Sequence, residues 1–356
     1  MTRSLIPPAI RRLTAYVPGE QPRDRGFVKL NTNENPYPPS PKILPSILKA
    51  VKAAAGKLRL YPDPEAMSLR KTAARYYGVT PDRVIVGNGS DEILAMLFKA
   101  FVNPGDRVAF PVPTYTLYET LARIARVRME RIPFPRDFSL PETLLQSKAP
   151  LVILCNPNSP SGTLIPRAEV KRLARRIRGI LVVDEAYVDF ADENCLVLAR
   201  ECPNVVVLRT LSKSFSLAGL RAGFAIGPRP LIGALFKVKD SYNMDRIALA
   251  GAEAALRDTA GARRNIMKIR NTRERFTRQL RNLGFSVFPS QANFVLAACR
   301  PPVPPAETIY RALKSRRILI RYFRAPGLRD KLRITIGTDR EMATLTNALE
   351  DILRRP

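Results

Sequence analysis

The chain has 356 residues, of which 46% are hydrophobic and 25% are charged, and it contains no histidine. This composition is typical of a soluble globular protein with about two domains, and the lack of histidine excludes Ser-His-Asp triads, HExxH zinc sites and zinc fingers. The net charge of +28 favours a partner that carries phosphate. However, the basic residues are spread along the chain without any nucleic-acid-binding signature, so specific nucleic-acid binding is not expected.

The N-terminal 40 residues are rich in proline and asparagine, which predicts an extended arm rather than a domain. Two prolines in the first 12 residues lie where an export signal would need its apolar stretch, and no apolar run approaches the roughly 20 residues of a membrane helix. The four cysteines lack CxxC spacing, which predicts free thiols in a reducing cytoplasm; they are Cys155, Cys195, Cys202 and Cys299. We therefore expect a cytoplasmic protein with no membrane partner.

Residues 41–246 alternate short apolar runs with helical patterns. Helices are predicted at 91–101 and 167–178, and in the second an apolar stripe at Val170, Leu173, Ala174 and Ile177 leaves the basic residues on the solvated face. Alternation of strands and helices favours an α/β domain with a mostly parallel sheet. The predicted strands are 83–87, 107–110, 151–155, 180–184, 205–208 and 222–227.

Residues 247–356 have a different pattern, which predicts a smaller α+β domain. Long basic helices are predicted over about 246–282. After them come predicted strands at 293–298, 318–323 and 331–337, with a Pro-rich break at 300–305 and a final helix. The dense arginine and lysine of 263–282 is interpreted as a solvated surface.

Polar residues follow four of the predicted strands in the large domain. In an open parallel sheet, ligands bind beyond the carboxyl ends of the strands, and Gly-Ser ahead of a helix is a typical anion site. Each group alone has an ordinary interpretation as a turn, a helix cap or a surface cation, but four groups on one rim favour a shared site. They are Asn88-Gly89-Ser90-Asp91, the NPNSPSG segment at 156–162, Asp184 with Tyr187, and Ser212 with Lys213.

The chemistry of these side chains indicates a lysine-centred site for an anionic cofactor. A desolvated lysine such as Lys213 loses its proton readily and can form a Schiff base. A buried carboxylate such as Asp184 can hold a protonated pyridine nitrogen, and an anion site with Arg221 can hold a phosphate. Pyridoxal phosphate requires these three features.

The motifs resemble those of the fold-type-I pyridoxal-phosphate-dependent aminotransferases, and within them the histidinol-phosphate aminotransferase family. The resemblance covers nearly the whole chain. Its motifs are RRLTAYVPG (11–19), LNTNENPYPPSP (30–41), YPDP (61–64), GNGSDE (87–92), PTY (113–115), NPNSPSG (156–162), DEAYVDF (184–190), RTLSKSFSLAGLRAG (209–223), ANFV (292–295) and LRITIGT (332–338). The resemblance implies a large domain with a mostly parallel seven-stranded sheet between helices, a smaller α+β domain, and an N-terminal arm that joins the smaller domain.

The resemblance also implies a role for each cofactor-site residue. Lys213 would carry pyridoxal 5'-phosphate as a Schiff base, and Asp184 would pair with the pyridinium nitrogen. Asn156 and Tyr187 would hydrogen-bond the phenolic oxygen, and Tyr115 would pack against the ring. The cofactor phosphate would be bound by Gly89, Ser90, Ser212 and Arg221, with Asp91 in the same site. Where the family often has Asn-Pro-Thr, this chain has Ser159, Pro160 and Ser161, a conservative change within a turn.

The remaining implied roles concern the substrate and a second subunit. Arg333 would bind the substrate carboxylate, Arg321 and Tyr16 would line the end of the site that receives the other anionic group, and Asn156 is assigned to the substrate as well. Tyr61 would reach into the cofactor site of a second subunit, which implies a homodimer.

The implied reaction converts L-histidinol phosphate and 2-oxoglutarate into imidazole acetol phosphate and L-glutamate in histidine biosynthesis. Two alternatives share most of these motifs, namely an aromatic amino acid aminotransferase and a threonine-phosphate decarboxylase. A third hypothesis is a non-enzymatic nucleic-acid-binding protein. The charge favours it, but the complete set of cofactor residues argues against it.

Overall fold

The computed structural model describes residues 5–6, 8–11, 13, 19–22, 24, 26–56 and 59–354. Sheets of seven, four and two strands lie among helices. The strands are β1 Val28–Lys29, β2 Val84–Asn88, β3 Arg107–Val112, β4 Arg128–Pro133, β5 Leu151–Cys155, β6 Ile180–Asp184, β7 Val205–Thr210, β8 Ala222–Ile226, β9 Ser286–Val287, β10 Phe294–Ala298, β11 Ile318–Leu319, β12 Arg321–Tyr322 and β13 Lys331–Thr335. The helices are α1 Pro8–Arg11, α2 Ile43–Ala54, α3 Met67–Tyr77, α4 Ser90–Phe101, α5 Leu117–Ile124, α6 Arg167–Arg176, α7 Leu198–Glu201, α8 Arg229–Val238, α9 Arg246–Arg257, α10 Ala260–Asn282, α11 Ala306–Ser315 and α12 Asp339–Arg354.

The seven-stranded sheet has the order β2-β8-β7-β6-β5-β3-β4 and is parallel except at β8, which is antiparallel to both of its neighbours. Every residue of β5 and β7 is buried, as expected when helices cover both faces of a sheet. Leu151 and Ile153 contribute to one hydrophobic core while Val152 and Leu154 contribute to the other. The predicted mostly parallel α/β sheet of seven strands is thereby confirmed.

Strand β4 was not among the predicted strands. Its sequence, RMERIP, has three charged residues and ends in proline, so it lacks the apolar run that marks the central strands. The strand pairs with β3 alone, at the edge of the sheet. Edge strands tolerate charge and proline because one side of their backbone needs no partner.

The four-stranded sheet has the order β12-β13-β10-β9 and is antiparallel. A separate hydrophobic core lies between this sheet and helices α10, α11 and α12. The single strand predicted at 318–323 is in fact two short strands in different sheets, because β11 pairs with β1 while β12 pairs with β13. The basic helices predicted over about 246–282 are α9 and α10, and Asp245 caps α9 by accepting from the backbone N–H groups of Ile247 and Ala248.

The N-terminal segment joins the four-stranded sheet to the site described below. Strand β1 runs parallel to β11, with Val28 opposite Ile318 and Lys29 opposite Leu319. Beyond β1, the backbone N–H of Thr335 in β13 donates to the carbonyl of Leu30 at 3.0 Å. Residues 31–35 therefore leave the small-domain sheet in a fixed position. The division into domains at residues 40 and 246 remains a prediction.

Two features of composition also have structural counterparts. Across the described ranges, no helix combines the length and apolar character needed to cross a membrane. All four cysteines are buried free thiols, and burial raises the pKa of Cys299 to about 12. A buried thiol of this kind is unreactive.

Candidate active site

A cavity of about 880 Å³ opens beyond the carboxyl ends of β5, β6 and β7, where an open parallel sheet binds its ligands. The sheet register places Cys155, the last residue of β5, opposite Asp184, and Asp184 opposite Leu208. Most residues predicted for the site line this cavity, and those residues are Ser90, Asp91, Tyr115, Asp184, Tyr187, Ser212, Lys213, Arg221, Arg321 and Arg333. Strand ends distant in sequence are thus brought together as the motifs predicted.

Lys213 is the candidate nucleophile. Burial lowers the pKa of its ammonium group to about 8, and the positive charge of Arg333 lowers it further. Its Nζ donates to the carbonyl oxygen of Thr32 at 3.4 Å. A pKa of about 8 leaves roughly a tenth of Lys213 neutral near pH 7, far more than for an ordinary lysine, and the neutral amine is the form that attacks a carbonyl carbon.

A buried ionic network holds the chain around Lys213. Arg209 Nε lies 2.8 Å from Glu185 Oε2, and Arg209 Nη1 lies 3.2 Å from Asp189 Oδ1. The hydroxyl of Ser214 donates to the other oxygen of Asp189. Because Ser214 is next to Lys213, this network fixes the turn that presents the lysine to the cavity.

The segment at residues 31–35 adds further contacts to the same turn. The side-chain amide of Asn35 donates to the carbonyl of Lys213 at 2.9 Å and to that of Ser214 at 3.3 Å. The carbonyl of Asn31 accepts from Arg333 Nη2 at 3.0 Å. This segment therefore touches both the lysine and the substrate arginine that the motifs predicted.

Asp184, at the end of β6, is 3% exposed, and each of its oxygens accepts a hydrogen bond. Tyr118 Oη donates to Oδ2 at 2.6 Å, and the backbone N–H of Ala186 donates to Oδ1 at 3.2 Å. Burial raises the pKa of Asp184 to about 6, while the Tyr118 hydrogen bond acts in the opposite direction. The carboxylate is therefore ionised at neutral pH, as a partner for a protonated pyridine must be.

Tyr118 itself was missed by the sequence reasoning. It lies in α5, is fully buried, and packs edge-on against Tyr115 with ring centroids 5.6 Å apart. The available signal was its spacing of three residues from Tyr115, which places two rings on one side of a helical turn.

Tyr187 follows Asp184 on the same strand end. Burial raises the pKa of its phenol to about 12, so it is protonated at neutral pH. The side-chain amide of Asn33 donates to Tyr187 Oη at 3.0 Å. Tyr187 Oη therefore accepts a hydrogen bond from Asn33, and the side chain lines the cavity.

The anion site has the close packing that a phosphate cradle requires. Helix α4 begins at Ser90, where free N–H groups and the helix dipole attract negative charge. At Gly89, with φ of +80°, a Cβ would lie 2.3 Å from Arg221 Nη2, and at Gly223 a Cβ would lie 2.5 Å from the backbone nitrogen of Ser90. Only glycine at both positions lets this arginine and this helix end converge.

Two further groups complete the anion site. Ser212 Oγ accepts from Thr210 Oγ1 at 3.0 Å. Asp91 accepts from Arg221 Nη2 at 3.1 Å and from Tyr115 Oη at 3.2 Å. Asp91 therefore positions the arginine and the aromatic ring. Taken together, the lysine, carboxylate, phenol and anion cradle fit pyridoxal phosphate.

The geometry does not support the assignment of Asn156 to cofactor or substrate. Its side chain is 1% exposed and its amide is engaged with Ile165, donating to the carbonyl at 2.9 Å and accepting from the N–H at 2.8 Å. Ser159, three residues later, lines the cavity, and its hydroxyl accepts from Arg333 Nη1 at 3.1 Å. The hydrogen bonds between Asn156 and Ile165 close the loop at 156–165, and this loop places Ser159, rather than Asn156, at the cavity.

Arg321 and Arg333 lie directly opposite one another on β12 and β13, as their positions in neighbouring strands predicted. Both line the cavity. The guanidinium of Arg333 lies 5.2 Å from the ring centroid of Phe294 and 5.4 Å from that of Phe323, while that of Arg321 lies 5.3 Å from Phe323. Stacked, charged groups of this kind suit planar or dianionic ligands.

Tyr61, which was predicted to reach the site of a second subunit, is not among the residues that line the cavity of its own chain. Tyr61 is 74% exposed and stacks on Tyr242 with ring centroids 4.2 Å apart. The side chain of Arg246 donates to the backbone carbonyl of Tyr61 at 2.6 Å. Tyr16 lies outside the residues that the structure describes.

Comparisons with known proteins agree with this geometry. The family model for aminotransferase class I and II matches residues 25–352. Histidinol-phosphate aminotransferase 1 of Trichormus variabilis is 46% identical over 348 residues, which cover 97% of this chain and 98% of that protein. Histidinol-phosphate aminotransferase 1 of Bradyrhizobium diazoefficiens is 45% identical over 350 residues, which cover 97% and 98%.

Solved structures show the same likeness. The crystal structure of histidinol-phosphate aminotransferase from Sinorhizobium meliloti, in complex with pyridoxal-5'-phosphate, aligns with a TM-score of 0.86 at 29% identity, covering 99% of this chain and 98% of that one. A Thermus thermophilus aspartate aminotransferase mutant aligns with a TM-score of 0.81 at 22% identity, covering 98% and 99%. At that identity the second likeness concerns the fold alone.

Proposed function

The chain belongs to the class I and II aminotransferases, and from that premise we propose that it transfers the amino group of L-histidinol phosphate to 2-oxoglutarate. The products are imidazole acetol phosphate and L-glutamate, and the reaction belongs to histidine biosynthesis. The observation that carries this proposal is that Arg321 and Arg333 lie opposite one another on β12 and β13 and line the same cavity as Lys213. Full-length identity to histidinol-phosphate aminotransferases supports it.

The cofactor of the proposed reaction is pyridoxal 5'-phosphate, for which the large-sheet rim has suitable groups. Lys213 would hold the aldehyde carbon, Asp184 the ring nitrogen and Tyr187 the phenolic oxygen. Gly89, Ser90, Ser212 and Arg221 would hold the phosphate. When bound, the cofactor supplies an electron-accepting ring that lets the amino-bearing carbon of the substrate lose a proton.

Lys213 is the proposed base for that proton. The chain has no histidine, and among the described residues lining the cavity Lys213 is the amine whose pKa is lowered to about 8. Its Nζ would accept the proton from the amino-bearing carbon and return it at a neighbouring atom. The ionic network of Arg209, Glu185 and Asp189 would keep the lysine in place during the transfer.

The substrate side of the cavity must accept an amino donor and an amino acceptor in turn. Histidinol phosphate, the donor, carries a phosphate, and 2-oxoglutarate, the acceptor, carries two carboxylates. Arg333, supported by Ser159 and the carbonyl of Asn31, would bind a carboxylate through its planar fork. Arg321 would bind the phosphate of the donor, and we also assign Tyr16 to that end.

The aromatic rings of the cavity favour one second candidate. Phe134 and Phe323 line it together with Tyr115, and this surface would also accept the side chain of an aromatic amino acid. An aromatic amino acid aminotransferase is therefore the alternative, whereas a threonine-phosphate decarboxylase has no comparable observation in its favour.

We also propose a homodimer with shared active sites in the cytoplasm. Tyr61, Leu60 and Tyr242 are exposed apolar or aromatic side chains close to one another, and such a patch favours contact with a second copy. In that dimer Tyr61 would reach the cofactor phosphate of the partner. Four buried free thiols favour a reducing compartment.

The proposed function is tested with the purified protein, pyridoxal phosphate and 2-oxoglutarate. Histidinol phosphate, histidinol and phenylalanine are compared as amino donors, and glutamate formation is measured. We expect the highest kcat/KM for histidinol phosphate. A preference for phenylalanine would favour the aromatic aminotransferase, and carbon dioxide release without glutamate would favour decarboxylation.

A further inference from the structure

A chain of hydrogen bonds connects strand β13 of the small domain to Tyr187 of the cofactor site. The backbone N–H of Asn33 donates to Thr335 Oγ1 at 3.0 Å, and Thr335 Oγ1 donates to Asn33 Oδ1 at 3.1 Å. The side-chain amide nitrogen of Asn33 then donates to Tyr187 Oη at 3.0 Å. The chain of bonds ends at the phenol that faces the cavity.

The direction of each bond follows from the one before it. Thr335 is 3% exposed, and Asn33 Oδ1 is the acceptor that the described hydrogen bonds give its hydroxyl proton. A buried hydroxyl left without an acceptor is costly, so Oδ1 faces Thr335 and Nδ2 faces Tyr187. Since Nδ2 can only donate, Tyr187 Oη accepts from it, and the phenolic proton is left to point into the cavity.

The backbone of Asn33 is fixed as firmly as its side chain. Asn33 is 1% exposed and has a φ of 56°, a left-handed conformation that asparagine and aspartate tolerate better than most residues. Its carbonyl accepts from the side-chain amide of Asn293 at 3.0 Å. With both ends held, the amide cannot turn without breaking several buried bonds.

We propose that Asn33, oriented by Thr335, is a positioning residue that makes Tyr187 a hydrogen-bond donor to the phenolic oxygen of the cofactor. The proposal rests on the proposed function, because it assumes that pyridoxal phosphate occupies the cavity. It assigns to the residue 31–35 segment a role in the chemistry of the cofactor as well as in structure.

The same arrangement links the substrate strand to the cofactor. Arg333 and Thr335 are two residues apart on β13 and therefore lie on one face of the strand. The donor at the cofactor is thus connected to the strand that carries the substrate arginine.

The test uses Asn33→Asp, a nearly isosteric change that tolerates the same backbone conformation. Aspartate accepts at both oxygens, so Tyr187 would donate to residue 33 instead of to the cofactor. The holoenzyme is titrated with pH, and the midpoint of the change in its visible cofactor absorbance is measured for Asn33→Asp, Tyr187→Phe, the double variant and the wild type. The double variant separates the lost hydrogen bond from the added negative charge.

A hydrogen bond from Tyr187 to the anionic phenolic oxygen of the cofactor favours the deprotonated form of the bound cofactor, so losing this bond should raise the midpoint. We therefore expect Asn33→Asp to raise the midpoint by about one pH unit more when Tyr187 is present than in the Tyr187→Phe background. An equal rise in both backgrounds would mean that residue 33 acts through charge alone and would overturn the proposal. A wild-type protein that binds no cofactor would overturn the proposed function, and the Asn33 proposal with it.

A second pair of variants guards against misfolding of Asn33→Asp. Thr335→Val removes the hydroxyl that orients the amide, whereas Thr335→Ser keeps it. We expect Thr335→Val to raise the midpoint and Thr335→Ser to retain the wild-type midpoint, with thermal melting confirming that both are folded. A wild-type midpoint in folded Thr335→Val would contradict the role of Thr335 and with it the proposed orientation of Asn33.

Discussion

The two walls of the cavity hold their functional groups in different ways. On the large-domain wall, formed by Asp184, Tyr187 and Lys213, each group is fixed by buried side chains such as Tyr118 and Arg209. On the small-domain wall, formed by Arg321 and Arg333, the guanidinium groups rest on aromatic rings, and Arg333 bonds a backbone carbonyl and a serine hydroxyl.

This difference matches what each wall has to do in the proposed reaction. Groups that hold protons need a fixed position and a defined pKa, and burial with specific partners provides both. Groups that bind substrates must accept a phosphate in one half-reaction and a carboxylate in the other. Arginines stacked on rings can shift slightly without losing their support.

The largest effect is expected on the large-domain wall, at Lys213. Lys213→Ala removes the proposed base and nucleophile, so kcat should fall by about 10²–10⁴-fold or more. Steady-state kinetics measures the loss, and mass spectrometry after borohydride reduction of the wild type should find the cofactor on the peptide that contains Lys213. Lys171→Ala, which removes an exposed lysine paired with Glu201, is the control. A label on another lysine would contradict the assignment.

The next effect concerns the small-domain wall. Arg321→Ala should weaken the binding of histidinol phosphate, relative to that of histidinol, by about ten- to a hundred-fold, because a charge-assisted contact to phosphate is lost. Arg333→Ala should impair the glutamate half-reaction as well, and half-reaction kinetics separates the two. Arg324→Ala, an exposed arginine paired with Glu307, is the matched control. Equal losses for both donors in Arg321→Ala would remove the basis for phosphate specificity.

A smaller effect, seen mainly in the pH profile, should follow from Tyr118→Phe. Loss of the Tyr118 hydroxyl removes a hydrogen bond that lowers the pKa of Asp184, so this pKa should rise above its value of about 6. The ionised carboxylate is present above its pKa, and activity that depends on it is lost as the pH falls through that value. The acid limb of kcat should therefore move to higher pH. Tyr76→Phe serves as the control. An unchanged acid limb in Tyr118→Phe would show that the Tyr118 hydroxyl does not set the pKa of Asp184.

The smallest effect is expected in an experiment that asks whether Tyr61 of a second subunit completes the large-domain wall. Lys213→Ala and Tyr61→Phe proteins are mixed after mild dissociation. Hybrid dimers would contain one site with neither change, so activity should recover toward about one quarter of the wild type if subunits combine at random. Activity that stays at the sum of the separate proteins, or a fully active monomer in sedimentation, would contradict the shared site.

The fold of the large domain was predictable because its central strands are continuous buried runs. Val205–Thr210 and Leu151–Cys155 are apolar enough to be recognised without any partner, and the polar residues that follow them mark the rim. Strand β4 was missed because an edge strand carries charge, and 318–323 was not divided because pairing with β1 is not encoded locally.

The site was predictable where the proposed role of a residue follows from its own chemistry, as it does for Lys213 and Asp184. Tyr118 and Asn33 were missed because they act through partners that only the folded chain brings near. Asn156 was assigned to the site from the family resemblance, yet in the structure its amide closes its own loop. Which of two neighbouring polar residues faces a cavity depends on loop geometry rather than on composition.

The hydrogen bonds between Asn33 and Thr335 join residues 302 positions apart, and this has a consequence for the order of folding. Contacts between distant parts of a chain form late, since a long loop must close before they form. During synthesis the hydrogen bonds between Asn33 and Thr335 cannot form until residue 335 has emerged from the ribosome. The strands of the large sheet and its anion cradle all lie before residue 230, so we expect the binding site for the cofactor phosphate to form before Thr335 can orient the side chain of Asn33.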